Sequence, residues 1–181
     1  MANLLTAIRL LISIPTALSI AMVLKLPPMV LVLLVLIAIV TDYFDGKIAR
    51  RLGTASPRGQ VFDHTTDFLF VTSALFGAAY VDLLTPILPV LIVIAFSQYV
   101  LDSYFFYHEK QLHMNKLGRW NGILYFVPIV LIASSRTAPF SSITGIMNMV
   151  IFVLGWLLVL STVLSILDRA MAPLHIHQKD Q

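Results

Sequence analysis

Cysteine is absent from the chain, which excludes a disulfide framework and any thiolate metal site. Charge is scarce as well. Only 12% of the 181 residues are Asp, Glu, Lys or Arg, against roughly 25% in a soluble globular chain. Apolar side chains make up 59% of the sequence, with a mean hydropathy of +0.90. Apolar runs recur near the ~20 residues that cross a bilayer, so the chain reads as a polytopic membrane protein. It is too short for two membrane domains. No internal repeat and no low-complexity linker occurs. The first apolar segment contains Arg9 and no small-residue cleavage site follows it, so it reads as a retained helix and not a signal peptide.

Six segments emerge, giving an all-α, six-span fold: Leu4–Leu24, Pro28–Ile48, Asp63–Tyr80, Leu84–Tyr104, Leu117–Ser134 and Thr144–Leu167. Lys25-Leu26-Pro27-Pro28, Asp82 and Arg136-Thr137-Ala138-Pro139 mark turns. We expect a membrane domain over residues 1–170 and a polar, solvated tail over 171–181. An even number of spans places both termini on one face. That face carries Arg9, Lys47, Arg50, Arg51, Arg58, Lys110, Lys116, Arg119, Arg169 and Lys179, ten of the twelve basic residues. The positive-inside rule makes it cytoplasmic. The expected location is a bacterial or archaeal cytoplasmic membrane, with the chemistry at the inner leaflet.

The polar residues are concentrated. Pro27 to Val40 holds no charged or hydroxylated side chain, and then "TDYFDGKIAR" begins at Thr41. Asp42 and Asp45 are three apart and share a helix face; Asp63 and Asp67, four apart, share a face of the next helix. The stretch between, Arg51 to Gln60, contains Gly53, Pro57 and Gly59 and reads as a short turn. This predicts antiparallel neighbouring helices and four carboxylates converging near the cytoplasmic interface. An Asp at the centre of a membrane helix costs roughly 2.5–3.5 kcal/mol, and like charges raise each other's pKa. Divalent cations offset both costs, and Mg²⁺ or Mn²⁺, as hard cations, take oxygen ligands. Two such ions suit phosphoryl chemistry. Gly46 and Gly59 let a ligand approach the backbone, Ala49 is small, and Lys47, Arg50, Arg51 and Arg58 can meet phosphate charge. Singly, Asp42 or Asp45 reads as a solvated interfacial charge, and Asp63 as an N-terminal helix residue favoured by the macrodipole. Asp67, a turn further into an apolar span, resists that reading.

At these residues the sequence resembles the CDP-alcohol phosphatidyltransferases, whose signature is D-x2-D-G-x2-A-R-x8-G-x3-D-x3-D. Asp42, Asp45, Gly46, Ala49, Arg50, Gly59, Asp63 and Asp67 fill its fixed positions. "NLLTAIRLLISIP", residues 3 to 15, is similar to the family's Asn-x-Leu-Thr-x-x-Arg opening. The resemblance implies transfer of a phosphatidyl group from a CDP-linked donor, such as CDP-diacylglycerol, to a hydroxyl acceptor, with release of CMP. It implies Asp42, Asp45, Asp63 and Asp67 as ligands of two Mg²⁺ or Mn²⁺ ions. It implies Asp67 as the base, and Gly46, Ala49, Arg50 and Gly59 as contacts of the CDP moiety. It also implies a homodimer, membrane lipids as surroundings, and no nucleic-acid partner.

Departures from the family pattern bear on the acceptor. Before the fifth segment the chain reads "KLGRWNG", with Arg119 and Gly122 where many glycerol-phosphate users carry Lys and Thr. Arg119 can grip an acceptor phosphate such as that of glycerol 3-phosphate, with Lys116 or Arg9 helping; the alternative makes these residues interface anchors. "DHTTD" places His64 as the choline and ethanolamine branch does, though polar surface is the plainer reading for it. His108 and His113 lack a convincing metal spacing. Two rivals to the transferase remain: a cation-binding transporter, since intramembrane carboxylates often mark ion paths, and an inactive structural homologue.

Overall fold

The structure, a computed structural model, describes residues 2–51, 57–105 and 116–176. Among them the fold is all-α, without strands: α1 Ala2–Ile20, α2 Pro28–Arg51, α3 Pro57–Tyr80, α4 Ile87–Phe105, α5 Lys116–Leu124, α6 Phe126–Ser135 and α7 Thr144–Ile176, with a 3₁₀ turn, Ala138–Ile143, before α7. Two helical stretches, Leu117–Ser135 and Ala138–Met171, are long and apolar enough to cross a membrane, and α1, α2 and α4 contain shorter apolar helices.

The turns follow from backbone chemistry. α1 ends where Met22 takes a left-handed conformation, φ 60°, and the Val23 and Leu24 amides fold back on the Leu18 carbonyl. α3 ends the same way at Asp82, φ 56°, where the Leu83 amide bonds the Ala78 carbonyl. These are the αL closures that satisfy the last carbonyls of a helix. Pro57 opens α3 at a position where its missing N–H costs nothing. The predicted turn over 51–60 is therefore shorter, because α2 runs through Arg51 and α3 already begins at Pro57. Asp63 consequently lies in the second turn of α3, outside the first turn where a macrodipole would favour it. The fifth segment is two helices that meet at Tyr125.

Round the bundle the packing runs α1, α2, α6, α7, α4, α3 and back to α1, and α6 also touches α3. The closest pairing is α1 with α3. Gly77 permits it: a Cβ there would stand 2.6 Å from the Ala17 carbonyl oxygen. The side chains of α2 and α3 come together at Asp42 and Asp67, which line one cavity. Among the described residues α1 packs along both and bridges them. The interior is aliphatic and aromatic, with Leu31, Val35, Phe70, Leu75, Leu88, Ile129, Ile132 and Ile151 all buried. The outside is apolar too: Leu11 is 71% exposed, Met149 69% and Leu160 58%. A helix bundle that turns large apolar side chains outward along its length has a surface matched to lipid.

Candidate active site

α1 contributes a side chain that sets the geometry. Arg9, with none of its side chain exposed, reaches across to both carboxylate helices. Its Nη1 donates to Asp63 Oδ1 at 3.1 Å, donates to Asp67 Oδ1, and forms an ion pair with Asp42 Oδ1 at 3.5 Å. One cationic nitrogen thus stands where oxygens of three aspartates from two helices converge. The predicted convergence of Asp42, Asp63 and Asp67 is present in this form. Asp45, Gly46, Ala49 and Arg50 lie on α2, with their side chains outside the described part of the structure. Gly59 lies in the first turn of α3, on the helix that carries Asp63 and Asp67.

The sequence reading offered Arg9 as a helper of Arg119 at an acceptor phosphate or as an interface anchor, and did not pair it with the aspartates. No local pattern pairs residues 54 and 58 positions apart; the close approach of α1 to α3 does. The Thr41 and Thr66 hydroxyls bond within their own helices. Thr41 donates to the Ile37 and Ala38 carbonyls at 2.7 and 3.0 Å, and Thr66 to Phe62 at 2.9 Å.

The donor set fits a hard divalent cation. Single ligand atoms of Asp63, His64 and Asp67 lie within 4.8 Å of one another. Asp42 shares a cation with two of them, and all three aspartates are partly exposed, at 42%, 23% and 23% of their side chains. The carboxylate oxygens suit Mg²⁺ or Mn²⁺. His64 lies beside these carboxylates, where the sequence favoured polar surface and offered a substrate contact as the alternative. Its adjacency to Asp63 was the available signal.

A cavity of about 990 Å³ opens from Asp42, His64 and Asp67 into the bundle. Its walls are Phe68, stacked on Phe96 at 4.1 Å, then Tyr99, Phe126 and aliphatic side chains of α2, α4 and α6. Arg119 on α5 and Arg169 on α7 line the same cavity. Arg169 lies over the Tyr99 ring, 4.9 Å from its centroid, a cation–π placement. α5 is fixed to α7 by the Tyr125 hydroxyl, 2.8 Å from Thr162 Oγ1, and by Ser161 Oγ donating to Asn121 Oδ1 at 2.6 Å. At Gly122 an added Cβ would meet nothing within 4 Å. Sequence reasoning placed Arg119 at the site and counted Arg169 only as a basic residue of one membrane face. Its position near the end of the last apolar segment, like that of Asp42 near the end of the second, was the missed signal. His108 and His113 fall outside the described residues.

Comparison with known proteins agrees with the signature. A family model described as CDP-alcohol phosphatidyltransferase matches residues 1–167. The chain is similar to "Uncharacterized CDP-alcohol phosphatidyltransferase class-I family protein 3" of Dictyostelium discoideum, 33% identical over 109 residues. That alignment covers 56% of this chain and 25% of the relative, so the chain spans only a fraction of the relative's length.

Proposed function

Since the chain belongs to the CDP-alcohol phosphatidyltransferase family, we propose that it is a metal-dependent phosphotransferase of phospholipid synthesis. It takes a CDP-linked lipid, CDP-diacylglycerol in the first instance, and passes the phosphatidyl group to a hydroxyl acceptor, releasing CMP. The observation that carries this reading is one cavity lined by Asp42 and Asp67 together with Arg119 and Arg169. Its volume, about 990 Å³, is at the upper end of small-molecule sites. Carboxylates and guanidinium groups on one cavity suit a reaction in which a cation-bound diphosphate meets a second anion.

In this proposal Asp42, Asp45, Asp63 and Asp67 hold Mg²⁺ or Mn²⁺, which supplies charge neutralisation at the attacked phosphorus and the leaving CMP. Asp67 accepts the proton of the acceptor hydroxyl. Gly46, Ala49, Arg50 and Gly59 bound the CDP moiety. Arg119 and Arg169 recognise an acceptor that carries a phosphate of its own, as glycerol 3-phosphate does. The six apolar segments span the membrane with the carboxylates at the cytoplasmic leaflet, and the apolar outer surface faces lipid and a second copy.

The test is to incubate the purified protein with CDP-diacylglycerol, Mg²⁺ or Mn²⁺ and a panel of alcohols, and to follow CMP and the lipid product. Phosphorylated alcohols should turn over and free choline or ethanolamine should not. Turnover confined to unphosphorylated alcohols would refute the acceptor assignment.

A further inference from the structure

Arg9 does more than neutralise charge. We propose that its guanidinium is a built-in competitor for the divalent cation, so that metal binds the carboxylates only as Arg9 gives up the same oxygens. This rests on the reading above that these aspartates hold a metal. The geometry is specific. Nη1 is bonded to Oδ1 of Asp63 and Oδ1 of Asp67 and lies 3.5 Å from Oδ1 of Asp42. These oxygens belong to both helices, so a cation bridging α2 and α3 through them would meet Arg9 there. Mg²⁺ draws its oxygens in to about 2.0–2.1 Å. An ion on these oxygens would crowd a positively charged nitrogen already bonded to two of them.

Position makes the competition consequential. Arg9 is fully buried, in surroundings where an unpaired charge is expensive, so its bonds to the aspartates are not lightly surrendered. α1 is clamped to α3 by the close contact at Gly77 and Ala17, which keeps Arg9 beside the carboxylates. The competing explanation is that Arg9 is a positioning residue that orients the aspartates for the metal. The two accounts predict opposite signs. Removing a competitor tightens metal binding; removing a positioning residue weakens it.

The experiment measures Mn²⁺ binding by electron paramagnetic resonance and thermal unfolding with EDTA or Mn²⁺, on full-length protein in nanodiscs. Wild type, Arg9→Met and Asp63→Asn are compared. Arg9→Met should bind Mn²⁺ at least tenfold more tightly than wild type. It should unfold at lower temperature in EDTA and gain more from added Mn²⁺. Arg9→Gln, neutral but still able to hydrogen-bond the carboxylates, should fall between, and it carries the test if Arg9→Met does not fold. Unchanged or weaker Mn²⁺ binding in the neutral variants overturns the proposal. Asp63→Asn separates the two levels. If it binds Mn²⁺ as wild type does, the metal reading itself fails. If it loses Mn²⁺ while the Arg9 variants gain nothing, only the competition fails.

Discussion

Each aspartate has its own surroundings, and substitutions should separate them. Asp67 sits one turn beyond Asp63 on α3, borders the cavity and bonds Arg9. An attacking hydroxyl at neutral pH needs a proton acceptor, and general-base catalysis is worth roughly 10²–10⁴-fold. Asp67→Asn should lose that much kcat while donor binding, followed by calorimetry, weakens far less than in Asp42→Asn. Equal loss of donor binding in both would make Asp67 primarily a ligand. Arg119 and Arg169 line the cavity together with Asp42 and Asp67. Arg119→Ala should raise KM for a phosphorylated acceptor and leave KM for the CDP donor nearly unchanged. An equal rise in both, or none, would return Arg119 to the role of an interface anchor. At this scale the sequence was informative where spacing alone sufficed: Asp42, Asp63 and Asp67 are separated by helical intervals and a short turn. Arg9 and Arg169 were harder to place, because their partners are set by which helices pack together and no interval encodes that.

Single contacts hold whole elements in place. Arg136, just past α6, donates to the Ser19 and Ile20 carbonyls at 2.6 and 2.7 Å and so closes the C-terminal end of α1. The Ser19 carbonyl also accepts the Met22 amide at 3.1 Å; carbonyls in the last turn of a helix lack the usual i+4 amide, and bonds from a charged donor are worth about 1.5–3 kcal/mol each. Arg136→Ala should lower stability by about 2 kcal/mol, discounted for partial exposure, in SDS-induced unfolding. No change would mean that water caps α1 equally well. Gly77→Ala should cost roughly 1–3 kcal/mol as overpacking, because the nearest atoms to its Cβ are the backbone of Ala17 and Ala21. Wild-type stability in that variant would show that α1 can shift without loss. The sequence marked six apolar segments and most of their turns. It did not show the division of the fifth at Tyr125, where the backbone keeps helical angles, φ −63° and ψ −22°. Tyr125 and Asn121 tie this junction to α7 through Thr162 and Ser161, and polar side chains in an apolar run carry no sign of the partner they will find.

Among the described residues the helices form a bundle with an apolar exterior, a mostly apolar interior and a cavity that charged side chains border. Such a body is suited to work on a lipid whose head enters the bundle while its tails stay in the bilayer. The basic residues define its proposed orientation. Because the chain has no cysteine, a single Cys at Ser56 should resist a membrane-impermeant thiol reagent in intact cells and react after permeabilisation. Labelling from outside would reverse the topology. Composition and the spacing of charge made the fold class and the cluster of acids legible. The bridging role of α1 was not, since it depends on a glycine and an alanine meeting sixty residues apart in sequence.

In the proposed reaction the carboxylates of α2 and α3 form a cation-dependent transfer centre. This is tested most directly by CMP release from CDP-diacylglycerol with glycerol 3-phosphate, in wild type and Asp42→Asn. Wild type should release CMP with Mg²⁺ or Mn²⁺, stop in EDTA and recover when the ion is restored, and Asp42→Asn should release almost none. CMP release that persists in EDTA and in Asp42→Asn would contradict the account.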